Sequence, residues 1–442
     1  MPHSGSFQEP DEFLLSAQTE GREATVGQDT THGTGPRIGS FLPWRDIPGP
    51  MWLVGAGSAL NSMGLSFLWS LTTLYVHVHL GAGLAYVGLI LTAQQGAGLI
   101  GSLVGGVLSD RLGTRVPLLL SAATGTVSLA AIAGDGTLWV YATAAILAGT
   151  SVGITFACLN AAAPRAWPGG GRNAFNMVYV SFNLGVAVGP ILAGVLASID
   201  FRLTFLVGAL GLFLFLLLVM LGFRGDAFTR LNEEPGHPAR LGGADLAGLG
   251  WPVWLLVGGL LLDWVVYAQW FTLVPNYLHT AGISIPLYSG LWTVNGVMVL
   301  AGQPLMQRLV ARVPRVKTQM LVGSAFFLLG MMLVTWLRTY PVYIAAMVCS
   351  TAGEMLVWPA VPTAADAGTG PDRRGLVQGV VSMAGFAGRT VGPLVGVGLA
   401  GVLAAGPVFG VLALVILTGG VLYAFYVHPD RAEGLQDAQT LS

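Results

Sequence analysis

Three ionisable side chains stand inside otherwise apolar stretches, and they are the residues best suited to bind or move a charged group. They are Asp263, Glu354 and Arg389. An unpaired charge in lipid costs several kcal/mol, so each of the three is expected to face an interior cavity. Each lies about 12 to 15 residues into its apolar stretch. At a rise of ~1.5 Å per residue this places all three near one depth, close to the midplane of a bilayer.

Two acids and one arginine leave one acid without a partner. The spare carboxyl is favoured in its protonated form, because a charge buried in an apolar interior is costly. A carboxyl that takes up and releases a proton as access alternates suits proton-coupled transport. Glu354 is the first candidate for this proton carrier and Asp263 the second. Two alternatives stay open: a plain buried ion pair with Arg389, and an acid that binds a cationic substrate directly.

Neutral polar and aromatic side chains in other apolar stretches are candidates for the wall of a substrate cavity. They are Asn61, Gln94, Gln95, Asn176, Tyr179, Asn183, Trp270 and Trp358. Asn176, Tyr179 and Asn183 recur three and seven residues apart and therefore share a helix face. Trp270 and Trp358 follow the two acids at helical spacing and would form aromatic walls for an amphipathic or cationic solute. The open alternative for all of them is helix packing or interfacial anchoring.

The elements that must position these residues are membrane helices. Hydrophobic residues make up 54% of the 442 residues and charged residues only 9%, against roughly 25% charged in soluble domains. Twelve runs of about 20 or more mostly apolar residues predict twelve transmembrane helices. The runs do not alternate between apolar and polar residues as the strands of a membrane barrel would. The sequence therefore predicts an all-α polytopic membrane protein.

The arginines predict how the helices are oriented. Alternate loops hold nearly all of them, and the other side holds only Arg202 and Arg338. Cytoplasmic loops carry an excess of basic residues, so the arginine-rich side is assigned to the cytoplasm. Both termini fall on that side. We expect a multi-pass protein of the cytoplasmic membrane with both termini in the cytoplasm.

A weak internal repeat divides the chain into two halves. The segment "GVAVGP" (185–190) matches "GRTVGP" (388–393) at an offset of 203 residues. This offset predicts two six-helix repeats around a central cavity. The predicted organisation is a disordered cytoplasmic tail (1–47), an N-terminal half (48–223), a cytoplasmic linker (224–250), a C-terminal half (251–427) and a second cytoplasmic tail (428–442).

A charged interruption, "GGVLSDRLGTR" (105–115), joins the second and third apolar runs. Its spacing and position resemble the motif between helices two and three of the major facilitator superfamily. Five residues fill the motif positions and are called the latch below: Gly106, Asp110, Arg111, Gly113 and Arg115. The resemblance implies a transporter in which Asp110 faces the positive N-terminal end of helix eleven. That contact would hold the cytoplasmic side of the two halves shut. Positive-inside topology alone would explain the arginines, but not the aspartate.

A second resemblance lies in the fifth run, where "NLGVAVGPILAG" (183–194) is similar to a glycine-proline motif of antiporters in that superfamily. The matching residues are Gly185, Gly189, Pro190 and Gly194. Drug-exporter-like members are implied, although small residues also pack membrane helices in general. Two features depart from that pattern. Ala145 stands where such exporters usually carry an arginine, and the segment 302–317 lacks the aspartate of a second latch.

The function expected from these features is secondary active transport of a small organic solute, coupled to protons and in the export direction. The alternatives are an importer or symporter of the same fold, and a non-transporting receptor or scaffold. An enzyme is not expected, because no nucleophile–base arrangement or nucleotide motif is visible and Lys317 is the only lysine. No cofactor, metal site or nucleic-acid partner is predicted. The expected partners are the solute, protons and the lipid bilayer, and the expected state is a monomer.

Overall fold

The structure is a computed structural model, and it describes residues 47–168, 170, 172–229, 249–313, 315–367 and 374–427. These residues form helices and no strand, which confirms the all-α prediction. Twelve helices are long and apolar enough to cross a membrane. They are α1 (Gly49–His79), α2 (Leu84–Leu112), α3 (Arg115–Gly134), α4 (Leu138–Ala166), α5 (Asn173–Ala197), α6 (Phe201–Gly222), α7 (Trp251–Thr280), α8 (Ile285–Val310), α9 (Val316–Trp336), α10 (Tyr340–Ala367), α11 (Leu376–Val402) and α12 (Ala405–Phe425).

Helix packing shows the six-plus-six repeat directly. In the N-terminal half α1 packs on α5, and α3 packs on α4 and α6. In the C-terminal half the same pairs recur six helices later, with α7 on α11, and α9 on α10 and α12. The halves meet through α2 with α11 and through α5 with α8, two contacts that the repeat relates to each other. The prediction of two six-helix repeats is confirmed.

The ends of the helices define two faces of the bundle. The basic face is the end at which α2 meets α3 and α10 approaches α11, and it carries Arg111, Arg115 and Arg165. The opposite face is the end at which α1 meets α2 and α7 meets α8. The predicted tails and most of the predicted linker, at 1–46, 230–248 and 428–442, lie outside the described residues.

Helices α1 and α7 are both irregular near the opposite face. Helix α1 ends in a π-helical turn, Leu74–His79, and α7 consists of three segments, Trp251–Tyr267, Gln269–Thr272 and Val274–Thr280. The break in α7 frees backbone carbonyls from the helical ladder. The Thr73 hydroxyl donates to two of them, at 2.9 Å to the Phe271 oxygen and 3.0 Å to the Thr272 oxygen. These bonds join the two halves on this side.

Candidate functional site

A cavity lies between the two halves, near the middle of the helices. It encloses about 1130 Å³, counting the space at its mouth. Seven of the residues predicted for the site line it: Asn61, Gln94, Gln95, Asn183, Glu354, Trp358 and Arg389. Substrate sites of transporters built from repeats lie at this depth, at the interface of the repeats.

The two walls of the cavity differ in chemistry. The N-terminal half contributes neutral amides and hydroxyls, among them Asn61, Ser62 and Gln94. The C-terminal half contributes both ionisable residues of the wall, Glu354 and Arg389. It also contributes the larger share of the aromatic lining, which comprises Trp69, Phe182, Trp264, Tyr267, Phe271, Trp292, Trp358 and Phe386.

Glu354 on α10 is buried and held by two neutral donors. Its Oε2 accepts a hydrogen bond from the Tyr267 hydroxyl at 2.9 Å and another from Asn295 Nδ2 at 2.9 Å. Asn295 also donates to Thr351 Oγ1 at 3.0 Å, which fixes the amide in place. Two donors on one oxygen stabilise the ionised carboxylate without neutralising it. These two hydrogen bonds allow Glu354 to hold a negative charge at this depth.

Arg389 on α11 rests on an aromatic stack. Its guanidinium carbon lies 3.7 Å from the centroid of the Trp264 ring. Trp264 in turn stacks on Trp358, with ring centroids 4.0 Å apart and planes inclined by 15°. A guanidinium over a tryptophan face is stabilised by the ring quadrupole, most strongly where water is excluded. This arrangement keeps a positive charge in the cavity wall.

Asp263 does not face the cavity, contrary to the sequence expectation. It is fully buried between α7 and α12, where its Oδ2 accepts a hydrogen bond from the Tyr423 hydroxyl at 2.8 Å. Trp270 does not line the cavity either. Its side chain is 1% exposed and donates through Nε1 to Ser350 Oγ at 3.2 Å. Because each residue turns a helix by about 100°, the face of α7 that carries both residues differs from the face that lines the cavity.

The candidates on α5 divide along the helix. Asn183 lines the cavity, and its Nδ2 donates to the Tyr179 backbone oxygen at 2.9 Å. Tyr179 is exposed one turn closer to the basic face, and Asn176 is half-buried a further turn away. Neither belongs to the lining of the central cavity. Of the predicted polar face of α5, only the innermost member reaches the cavity.

The glycines of the antiporter-like motif make close helix contacts. A Cβ at Gly185 would lie 2.6 Å from the Ala59 backbone oxygen, and a Cβ at Gly189 would lie 2.8 Å from that of Met63. Both glycines therefore press α5 against α1. Gly194 allows close contact between the two halves, because a Cβ at this position would collide with Ser289 on α8. Pro190 lies inside the helix between these contacts.

The latch residues hold the loop between α2 and α3 against the end of the same half. Gly113 has a φ of 73°, a conformation that favours glycine. The next residue, Thr114, donates to the Phe228 backbone oxygen through its own N–H at 3.1 Å. Arg115 donates to the Met220 oxygen at 3.1 Å. Asp110 is exposed on the basic face, as is Arg111, while Gly106 is half-buried on α2. Residues 368–373, which precede helix eleven, lie outside the described residues.

Among the residues around Glu354 and Arg389, four were not predicted: Trp264, Tyr267, Trp292 and Asn295. A signal for two of them is present in the sequence. Residues 264, 267 and 271 recur three and four positions apart, and all three are aromatic side chains on the cavity face of α7. The charge at Asp263 predicted instead that the neighbouring face of α7 lines the cavity.

Among the described residues, three threonine hydroxyls join the two halves between the cavity and the opposite face. Besides Thr73, the Thr92 hydroxyl donates to the Thr390 oxygen at 2.9 Å and the Thr293 hydroxyl donates to the Ala187 oxygen at 2.8 Å. In each case a side chain of one half binds the backbone of the other. The cavity is therefore closed by bonded contacts on the side of the opposite face.

This architecture matches that of a known family. The profile of the Major Facilitator Superfamily matches residues 54–393. The chain belongs to the major facilitator superfamily. The transporter resemblance of the loop between α2 and α3 is thereby confirmed, and members of this superfamily are transporters rather than enzymes.

Sequence relatives within the superfamily are bacterial. An uncharacterised MFS-type transporter of Bacillus subtilis (strain 168), YttB, is 38% identical over 362 residues, covering 79% of this chain and 88% of the relative. A second one from that organism, YqjV, is 24% identical over 397 residues, covering 88% and 96%. A class H tetracycline resistance protein of Pasteurella multocida is 24% identical over 323 residues, covering 70% and 78%.

Solved structures of other transporters share the fold. A POT family transporter in complex with 5-aminolevulinic acid superposes with a TM-score of 0.73 at 15% identity, covering 86% of this chain and 96% of that one. The nucleoside transporter NupG superposes with a TM-score of 0.70 at 13% identity, covering 85% and 98%. At these identities the likeness concerns the fold alone.

Proposed function

We propose that the chain is a proton-coupled secondary active transporter that exports a small organic solute across the cytoplasmic membrane by alternating access. The observation that carries the proposal is the position of Glu354, a hydrogen-bonded carboxylate in the wall of a cavity between two six-helix repeats. A solute and a proton would reach this cavity in turn as the halves rock. Both walls come from one chain, so a monomer suffices.

Glu354 is the proton carrier of this proposal. The Tyr267 and Asn295 donors support the ionised form, and the apolar surroundings support the neutral form. A carboxyl balanced between the two forms can load a proton from one side and release it to the other. Arg389 in the same wall would favour release, because a positive charge stabilises the carboxylate. Asp263 is withdrawn as a carrier, since it is buried between α7 and α12 away from this cavity.

Orientation supports the export direction. The excess of arginine at the basic face supports a cytoplasmic location for that face. In that orientation the bonded contacts between the halves lie on the outer side of the cavity, and an exporter in this state would take up its solute from the cytoplasm. The tetracycline resistance protein among the relatives has a name that fits export. The close packing of Gly185 and Gly189 matches the antiporter-like motif but serves packing as well.

The decisive test is solute movement in proteoliposomes under an imposed pH gradient. Purified protein is reconstituted, a panel of small organic solutes is supplied, and both solute flux and internal pH are followed. We expect a solute and protons to move in opposite directions across the membrane, with matching fluxes. Protein-free liposomes should show neither flux. If the solute moves only down its own gradient and the internal pH does not change, whichever way the gradients are imposed, proton coupling is refuted. Movement in the direction of the protons would show symport instead.

The latch supplies a separate prediction. Asp110→Asn should leave folding intact and lower the transport rate about tenfold, because a charge at a helix N-terminus contributes up to ~2 kcal/mol in favourable geometry. The matched control is Asp135→Asn, an exposed aspartate at the opposite face whose Oδ1 accepts from the Thr137 N–H. Rates are compared at equal amounts of monodisperse protein. Equal rates for the two variants would remove Asp110 from the mechanism.

A further inference from the structure

The cavity holds two opposite charges that are not paired with each other. The Arg389 guanidinium lies on the Trp264 ring, while Glu354 Oε2 is occupied by Tyr267 and Asn295. Within the described part of the chain, the N–H groups of Arg389 donate no hydrogen bond and the second carboxylate oxygen of Glu354 accepts none. Both residues line the same cavity. Each therefore has an unused polar surface that a solute can reach.

Unsatisfied charged groups at this depth call for a partner. An ionised side chain that gains a charge-assisted hydrogen bond is stabilised about twice as much as by a neutral one. The N-terminal wall contributes only neutral side chains to the lining, and its polar members are Asn61, Ser62, Gln94, Gln95 and Asn183. A solute must therefore present its own charged groups to the C-terminal wall alone.

Aromatic side chains surround these two charges and define the rest of the solute. Trp69 from the N-terminal half meets Trp292 from the C-terminal half edge to face, with centroids 4.7 Å apart. Tyr267 stands edge-on to Trp358 at 5.0 Å. Rings favour such offset and edge-to-face contacts with other rings. A flat apolar group can pack against this aromatic lining of the cavity.

We propose that the substrate is an amphoteric aromatic solute, with an acidic group bound by Arg389, a protonated amine bound by Glu354 and its ring against the tryptophan walls. The inference rests on the proposed function and names its substrate class. The amine and the transported proton use the same carboxylate, so each excludes the other. This exclusion is what obligatory exchange of solute for proton requires.

The charges of the two loaded states also differ in a way that can be measured. With the solute bound, Arg389 contributes +1, Glu354 contributes −1 and the solute contributes 0, for a sum of 0. With a proton bound, Glu354 is neutral and the sum is +1. Exchange of one solute for one proton therefore moves one positive charge per cycle, and a potassium diffusion potential with a negative interior should drive it.

The experiment varies charge on one aromatic scaffold. Purified protein in nanodiscs is titrated calorimetrically with naphthylalanine and glycyl-naphthylalanine, which carry both charges. Naphthylethylamine carries only the amine, naphthylpropionate only the acid, and naphthylethanol neither. We expect at least one amphoteric probe to bind about tenfold or more tighter than every other probe, as an added hydrogen bond to a charged group predicts.

Variants assign the two contacts. Arg389→Gln should bring the amphoteric probe down to the affinity of the amine, and Glu354→Gln should bring it down to the affinity of the acid. Asp263→Asn is the matched control, because it changes a buried carboxyl outside the cavity, and it should leave the rank order of the probes unchanged. Competition should also appear, with binding of the amphoteric probe weakening as pH falls.

Three results would overturn the substrate class. They are tighter binding of the amine or the acid than of either amphoteric probe, no measurable binding of any probe at about 10 mM, and an unchanged rank order in both cavity variants. None of them bears on proton-driven transport of another solute in proteoliposomes. A failure there, with amphoteric binding intact, would contradict the proposed function while the solute class stands.

Discussion

Two carboxylates in this molecule have similar depth, burial and hydrogen bonding, but they occupy different environments. Glu354 and Asp263 are both buried, both lie midway along a membrane helix, and both accept a hydrogen bond from a tyrosine hydroxyl. Glu354 also faces the cavity between the halves, whereas Asp263 lies between α7 and α12 within one half. Depth and burial therefore do not distinguish the two acids. Contact with the cavity does.

The neighbourhood of each acid explains the difference in physical terms. Close packing surrounds Asp263: a Cβ at Gly419 would lie 3.4 Å from its Oδ1, and a Cβ at Gly259 would collide with the Tyr423 ring. Helices α7 and α12 belong to the same half, so alternating access need not separate them. Glu354 lies where the halves face each other, so the proposed alternating-access cycle would change its access to solvent.

The largest effect is expected for the substitution of Glu354, the acid that faces the cavity. Glu354→Gln keeps the shape and the acceptor oxygen for Tyr267 but cannot release a proton. We expect proton-driven accumulation of solute to be lost, while exchange of labelled for unlabelled solute at equal pH continues. Both are measured in proteoliposomes of the same batch. Undiminished accumulation by this variant would refute Glu354 as the carrier.

The next effect compares the two tyrosines. Tyr267→Phe removes one of the two donors to the Glu354 carboxylate, and a hydrogen bond to a charged group contributes about 1.5–3 kcal/mol. We expect the rate of proton-driven transport to fall about tenfold or more. Tyr423→Phe removes the corresponding bond to Asp263 and serves as the control. The comparison fails if both variants slow transport alike.

Tyr423→Phe has its own expected effect, on stability rather than on transport. Loss of its bond leaves the buried Asp263 Oδ2 without a partner, which costs about 1–3 kcal/mol. The thermal unfolding midpoint in detergent should drop by a few degrees, while the transport rate of surviving protein stays within about twofold of the parent. An unchanged unfolding midpoint would mean that the hydroxyl contributes nothing to the α7–α12 contact.

The smallest effect is expected for Asp263→Asn. The amide retains an oxygen that accepts from Tyr423, and the site loses only an ionisable proton. Proton-driven transport should remain within about twofold, and the proton-to-solute ratio should stay the same. A changed ratio, measured from paired solute and pH traces, would return Asp263 to the coupling mechanism.

Much of the fold followed from local features of the sequence. Long apolar runs must form helices in lipid, because every backbone N–H and C=O has to be bonded within the segment. The twelve helices and their repeat were predictable for that reason, and the 203-residue offset that links Gly185 to Gly388 is matched by the recurrence of the helix pairs α1–α5 and α7–α11. Gln94 and Gln95 were predicted for the cavity wall or for helix packing, and both line the cavity.

The orientation of each helix about its own axis was less predictable. In α7 the charge at Asp263 suggested one face towards the cavity, yet Trp264 and Tyr267 on the next face line it. The repeat did not help, since Asn61 on α1 faces the cavity while Asp263 on α7, the corresponding helix of the other half, does not. A difference of one residue turns a side chain by about 100°, and the sequence does not show whether a buried acid meets a cavity or a tyrosine hydroxyl such as that of Tyr423.

The sequence alone therefore determined the lipid environment of this protein, its helices and the family motif at Asp110, because each depends on residue types that are close together in the chain. It also determined the repeat, because matching segments recur at a fixed offset. The tertiary structure decided which acid meets the cavity, which tyrosine and asparagine hold it, and that Arg389 rests on Trp264 rather than on a carboxylate. Those contacts join helices that are far apart in sequence. Their selection depends on how the helices of the C-terminal half rotate and pack against one another, and no short pattern encodes that choice.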